Sequence, residues 1–244
     1  MMNPTPQWLA QWEKKRELLA CPSDLDQYFT LADLQGRPLD VLDLGPVSVP
    51  TGAILVRDPL VYLQRGEQPY FLKVPTGEFQ AEAAVLLPDL EDCARYAAVR
   101  VRFTPETALR YEEALIGDEN LSELGEDMIY GFIVDAGMGC ICDAAALDAY
   151  CGFAEEWERA HPENTLYDGY FADLFRGSYE AAPEYQCEDG DWLNWTVPGT
   201  DYHIPMFQSG YGDGVYPVYF GFDAEEHICQ LVVQLIGLDG EDGI

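Results

Sequence analysis

The sequence predicts an α+β fold in which antiparallel strands form two packed sheets with helices flanking them. Three observations lead there. Between residues 39 and 104 short apolar runs follow one another with only Pro and Gly turns between them, the pattern of an antiparallel meander rather than of crossover units. A last run, "ICQLVVQLI" (228–236), alternates with a period of two. Two stretches with helical spacing, 143–161 and 165–179, lie between these strand-rich regions.

Taken in order, "PQWLAQWEKKRELLA" (6–20) reads as a helix with Pro6 in its first turn and basic residues toward its end, where they suit the helix dipole. A second short helix is expected near "SDLDQYFTLADL" with Ser23 as its cap. Strands are expected in "LDVLDLGPVSVP", "GAILVRD", "QPYFLKVP", "EFQAEAAVLLP" and "RYAAVRVRFT". In the last of these, Ala97, Val99, Val101 and Phe103 form one apolar face, opposite Arg100 and Arg102. Residues 105–128 read as a helix followed by an acidic loop.

"MIYGFIVDAGMGCICD" (128–143) reads as a strand, a glycine turn and a second extended piece. Asp143 then caps a helix that Pro162 stops. Three strands follow in 204–235, where Cys229, Leu231, Val233 and Leu235 are assigned to a core face. Pro217 marks an edge or bulge, and the aromatic row Tyr216, Phe220 and Phe222 is expected to be buried. "GLDGEDGI" is a polar tail. With no repeat and no flexible linker, residues 39–244 read as one domain carrying an N-terminal helical extension, residues 1–38, packed on it.

The net charge is −31, and it is lopsided: residues 1–110 carry 11 basic and 15 acidic side chains, residues 111–244 carry 2 and 29. Such a field repels nucleic-acid phosphate and anionic lipid, so neither is expected as a partner, and it attracts basic protein surfaces. The start, "MMNPTPQWLAQWEKK", lacks a signal-peptide pattern, and nowhere do about 18 apolar residues run together. Seven cysteines show no disulfide spacing. A reduced, cytoplasmic chain is expected.

The glycines of "SGYGDGVYPVYFGFD" (209–223) raise the question of a ligand loop. Gly210, Gly212 and Gly214 open a strand, not a helix, no Lys lies nearby, and Val215 stands where a third fingerprint glycine would be. A bend between strands is the reading they favour, with Asp213–Gly214 as a turn pair. Cys140 and Cys142 would share a face but are too few ligands for zinc, so no metal or other cofactor is expected. Cys140 as a nucleophile and Asp135 with Asp143 as a cation pair are weighed against a core thiol and two turn or cap formers. Asp58, before Pro59, reads as a turn residue.

Five stretches in a fixed order carry a resemblance: "PTGAILVRDPL" (50–60), "VPTGEFQAEAAV" (74–85), "RYAAVRVRFT" (95–104), "YGFIVDAGMGCICD" (130–143) and "FQSGYGDGVYPVYFGFD" (207–223). Together they resemble the bacterial family called domain of unknown function 4241. The family carries no established activity. The resemblance therefore supports the strand reading and marks Asp135, Gly137, Gly139, Cys140, Asp143, Gly210, Gly212, Asp213, Gly214 and Tyr216 as motif positions. The family's closing Asp-Phe pair is replaced here by Gln234 and Leu235.

Two functions are carried forward as expectations. One is an acidic, non-enzymatic binding protein whose residues 111–244 engage a basic protein partner, in the manner of an immunity protein neutralising a toxin. The alternative is a hydrolase-like or small-ligand-binding enzyme with a site built from Asp135, Cys140, Asp143, Gly210, Gly212, Asp213, Gly214 and Tyr216, which requires those residues to meet in one pocket.

Overall fold

Helix α1 (Pro6–Lys15) opens the chain in the computed structural model, which describes residues 3–90, 92–125 and 128–238. Thr5 caps it by accepting from the Trp8 amide, and Lys14 and Lys15 close it. A 3-10 turn (Arg16–Leu19) continues it, and a second (Leu25–Phe29) is capped by Asp24 rather than by Ser23. Strands β1 (Asp33–Leu34), β2 (Arg37–Val49), β3 (Ile54–Arg57), β4 (Gly77–Leu86), β5 (Arg95–Arg102) and β6 (Arg110–Glu113) follow. Next come β7 (Phe132–Val134), β8 (Met138–Asp143) and α2 (Ala144–Ala160), then a π-helical turn (Tyr167–Phe171) that runs into α3 (Ala172–Ala181). The chain ends in β9 (Trp192–Thr196), β10 (His203–Gln208), β11 (Gly214–Tyr216), β12 (Val218–Phe222) and β13 (Ile228–Gln234).

Every strand pairing is antiparallel. One sheet has seven strands in the order β1-β2-β4-β5-β13-β12-β6, a second has four in the order β3-β8-β10-β9, and β11 pairs with β7 in a short ribbon. The fold is thus α+β with two packed sheets. Their shared core joins Val47, Val99, Val101, Phe220 and Leu231 of the large sheet to Ile54, Val56, Ile141 and Phe207 of the small one. Asn194 on β9 adds a polar tie, its Nδ2 donating to the carbonyls of Leu44 (2.9 Å) and Pro46 (2.7 Å) on β2.

Each sheet has a covered outer face. On the small sheet, Leu147, Tyr150 and Cys151 of α2 and Phe175 of α3 pack over Cys140, Cys142, Trp195 and Ile204. On the large sheet, Leu25, Tyr28 and Leu34 pack over Ala84, Ala98, Tyr219 and Val232. This second cover buries Arg100 on the partly cationic face of β5, where its guanidinium donates to Asp26 (2.8 Å) and Glu82 (2.7 Å). Trp8 and Trp12 of α1 stand edge-on to Phe71, with ring centroids 5.1 and 5.0 Å away.

Several expectations need correction. Residues 105–128 contain no helix among those described; Arg110–Glu113 is an edge strand paired with β12, and the chain then loops. "QPYFLKVP" is not a strand but a loop anchored by single backbone bonds, such as Tyr70 N to Ile54 O (2.9 Å) and Val74 N to Gly52 O (3.0 Å). Cys229 does not share a face with Leu231. Gly221 pairs with Gln230 and Phe222 with Ile228, so Cys229 is the extra residue of a bulge and turns to the outer cluster. Of the polar tail, residues 239–244 lie outside the described residues. No helix among the described residues is long and apolar enough to cross a membrane.

The fully reduced chain is also corrected: Cys93 and Cys187, 94 residues apart, form a disulfide. It ties the approach to β5 to the loop before β9, that is, one sheet to the other. Closing a loop of that length removes much unfolded-state freedom. Dithiothreitol, or the Cys93→Ser variant, is expected to lower unfolding free energy by about 2–4 kcal/mol. A urea midpoint unchanged by reductant would contradict this.

Candidate functional site

The motif segments meet where the chain passes between sheets. After β3, Asp58 is fully buried and starts a turn, its Oδ1 accepting from the amides of Leu60 (2.9 Å) and Val61 (3.2 Å). Its Oδ2 accepts from the amides of Asp135 (3.0 Å) and Ala136 (2.8 Å), at the turn between β7 and β8. One carboxylate thus satisfies four backbone donors from two segments. Tyr62, within the Asp58 turn, donates its hydroxyl to the Asp135 carboxylate.

The glycine loop docks on the same turn. Ser209 N donates to Gly137 O (3.0 Å), and Gly137 N donates to Asp213 Oδ1 (3.1 Å). Beyond it, Gly214, Val215 and Tyr216 pair with Val134, Ile133 and Phe132. The Tyr216 hydroxyl returns to Gly212 O (2.8 Å), which also accepts from Ser209 Oγ (2.7 Å). Gly210 and Gly212 have φ of +67° and +109°, the left-handed region that glycine enters without strain. The loop is a bend, but it joins three sheets: β10 lies in the small one, β11 in the ribbon and β12 in the large one. Pro217 stands at the last crossing, between β11 and β12.

The remaining candidates lie elsewhere. Cys140 is fully buried in β8 beneath α2, and its neighbour Cys142 has its thiol pushed well up by the hydrogen bond to Cys140 and by burial. Asp143, at the far end of β8, caps α2 through Ala145 N (2.8 Å) and accepts from Thr51 Oγ1 (2.8 Å) and Thr51 N (3.0 Å). Five residues of strand separate it from Met138, about 16 Å at the usual rise. Asp135, Gly210, Gly212, Asp213, Gly214 and Tyr216 therefore assemble, whereas Cys140 and Asp143 point into the interior below them.

Beside the assembled loops lies a cleft of about 270 Å³ lined by Gly137, Gly212, Arg95, Asp191, Gln208 and Tyr167, among others. Asp191 is held by the Cys187 amide and by Gln208 Nε2 (2.9 Å). Burial raises its pKa to about 6, against the lowering effect of those donors and of Arg95. Arg95 itself pairs with Asp92 (2.8 Å). Sequence reading missed Arg95, Asp191 and Gln208, because each is a single polar residue at a strand or loop end with no local pattern. Asp58 was found, but only the local half of its role was.

A second buried carboxyl supports the same region. Glu113, the last residue of β6, accepts from the amides of Tyr130 and Gly131, both at 2.8 Å. Burial pushes its pKa from 4.5 to about 7 in spite of those two donors. The folded state therefore favours the neutral acid, and its contribution is fully present below the unfolded pKa and lost as pH rises through about 7. The protein is expected to be less stable at pH 8 than at pH 5, with Glu113 contributing up to about 3 kcal/mol of the difference. Glu113→Gln should flatten that slope in urea titrations at the two pH values, and a slope identical to that of the parent would contradict the assignment.

The exposed acidic side chains concentrate on the layer formed by α2, α3 and their connections. Residues 144–191 expose eleven, among them Glu156, Glu158, Glu163, Asp168 and Glu180, against two basic residues, Arg159 and Arg176. Arg176 pairs with Asp173 (2.7 Å), and Arg65 reaches Glu155 (2.8 Å) from outside the layer.

No curated protein and no solved structure gives a significant match to this chain. One family model, described as "Protein of unknown function (DUF4241)", matches residues 47–233 and so takes in β3, the Asp58 turn, both glycine-bearing loops and the helical layer. With that match extending over most of its length, the chain belongs to the DUF4241 family.

Proposed function

We propose that this chain is a non-enzymatic binding protein whose acidic helical layer engages a basic protein partner. The observation that carries the reading is the gathering of eleven exposed carboxylates over residues 144–191, a stretch that holds only two basic residues. The carboxylates that serve the fold, Asp58, Asp143, Glu113 and Asp191, are buried and bonded to backbone amides. Those on the helical layer are not needed in that way. At physiological salt the screening length is about 8 Å, so a surface of one sign steers a partner over the last few ångströms and favours a complementary basic face. An immunity-like protein that covers the cationic surface of a nucleic-acid-cleaving toxin is the concrete form of this proposal. A cytoplasmic location belongs to it too, and it has to accommodate the Cys93–Cys187 bond, which reducing compartments disfavour.

A second reading, a small-ligand-binding or hydrolase-like site, is favoured by the convergence of the 135–137 and 209–213 loops on a cleft that also holds Asp191. Cys140 does not take part in it, being buried beneath α2.

Affinity capture at low and high salt tests the first reading. A basic partner should be retained at about 50 mM salt and released near 500 mM. The triple variant Glu156→Lys, Asp168→Lys, Glu180→Lys should slow association at least about tenfold at low salt, the difference shrinking as salt rises. Capture indifferent both to salt and to these reversals would defeat it.

A further inference from the structure

A different cavity, about 330 Å³, opens between β3, β7 and the 114–119 segment, and its lining includes Arg57, Tyr62, Tyr70, Glu119, Tyr130 and Ile133. Its size falls in the range of small-molecule sites. Two motif stretches contribute to the lining, 50–60 through Arg57 and 130–143 through residues 130–133, and Asp58 anchors the first to the residues that follow these.

The chemistry of the lining is specific. Arg57 is already committed: Nε donates to Glu67 (2.7 Å), Nη1 to Val56 O (2.7 Å) and Nη2 to Gln68 O (3.0 Å). Glu119, also in the lining, accepts from the amides of Ile116, Gly117 (2.9 Å) and Asp118 (3.1 Å), and burial raises its pKa against the lowering effect of its backbone donors. Ionised, the Glu119 carboxylate has about four acceptor positions, of which these bonds occupy three. Arg57, Glu67 and Glu119 leave the lining one charge negative, and no other Lys or Arg among the described residues lines it. The Tyr70 hydroxyl is a second signal. Tyr70 is 3% exposed and its hydroxyl makes no hydrogen bond of acceptable geometry, although the Val56 backbone lies near it. A buried hydroxyl without a partner is costly, and Tyr70 is one of the residues that line the cavity. Tyrosine rings around a carboxylate attract positive charge through their faces. An anion would meet Glu119, and a purely apolar occupant would leave both Glu119 and the Tyr70 hydroxyl desolvated.

We propose that this cavity receives a single organic cation, a guanidinium or primary ammonium group, with Glu119 as counter-charge and the Tyr70 hydroxyl as acceptor. The group can arrive on a small amine or on a basic side chain presented by a protein; the recognising chemistry is the same. The proposal stands apart from the acidic helical layer, and the reversals that test the layer do not touch this cavity.

The test is calorimetric titration of the full chain at constant ionic strength with methylguanidinium, methylammonium, sodium acetate and a short arginyl peptide. Saturable binding of either cation, or of the peptide alone, supports the receptacle; the first assigns a free small cation, the second a presented side chain. Glu119→Gln should weaken binding at least about tenfold and Tyr70→Phe about threefold to tenfold. Because both positions are partly or wholly buried, thermal melts accompany them, and Ile133→Trp, at a 51% exposed position on the rim, provides a variant that blocks entry without entering the core. It should abolish binding. No saturation by any cation or peptide, acetate binding as well as the cations do, or binding indifferent to Ile133→Trp overturns the proposal.

Discussion

The buried carboxylate of Asp58 is the interaction on which the arrangement of this protein depends. An ionised group without solvent must be surrounded by donors, and here four backbone amides supply them, two from its own turn and two from the β7–β8 turn. The bond network extends from there. With residues 135 and 136 held, Gly137 is placed to accept from Ser209 and to donate to Asp213, and β11 can zip onto β7. The chain then leaves the small sheet, crosses the ribbon and enters the large sheet after Pro217. Segments that are far apart in sequence thereby become one corner of the fold. That corner also forms walls of both cavities, so a scaffold role and a binding role are not exclusive there.

The extreme acidity divides into two populations with different physics. Among the interior carboxyl groups, Asp58, Glu113, Asp143 and Asp191 are bonded to backbone donors; they fix turns, cap α2 and anchor strand ends, whereas Glu112 pairs with Arg16 and Arg110. Surface carboxylates are many and concentrate where α2 and α3 cover the small sheet. Like charges crowded on one layer repel each other and do not stabilise the fold, and the proposal of a basic partner rests on that layer. The first half of the chain follows the opposite rule: Arg16, Arg37, Arg57, Arg95, Arg100 and Arg110 each pair with a carboxylate.

Much of this fold was legible because its signals are local. The extended runs of β4 and β5, the Asp143 cap and the Pro162 stop of α2, and the glycine bend each depend on a few neighbouring residues. A register shift in β5 nevertheless turns Ala97 to the outer cluster, away from Val99 and Val101. Misreadings arose where a distant partner decides. Residues 105–128 read as a helix followed by an acidic loop, yet a strand stands at 110–113 because β12 pairs with it. Cys229 alternates in sequence, but a bulge opposite Gly221 and Phe222 turns it over. The Cys93–Cys187 bond has no spacing signature, since it links ends of different sheets. The candidate site was half legible for the same reason. Its glycines and aspartates could be named, but not the fact that Asp58 gathers them while β8 carries Cys140 and Asp143 away.

Amide hydrogen exchange on the Asp58→Asn protein compared with the parent tests this account most directly. Replacing one acceptor oxygen by an amide nitrogen leaves two of the four donors without an acceptor and keeps the side-chain size. Protection should fall together at 135–137 and at 209–213, although the second segment never touches Asp58, while β4 and β5 retain theirs. Unchanged protection at 209–213 alongside a loosened 135–137 turn would show that the glycine loop holds itself in place, and the Asp58-centred account would be wrong.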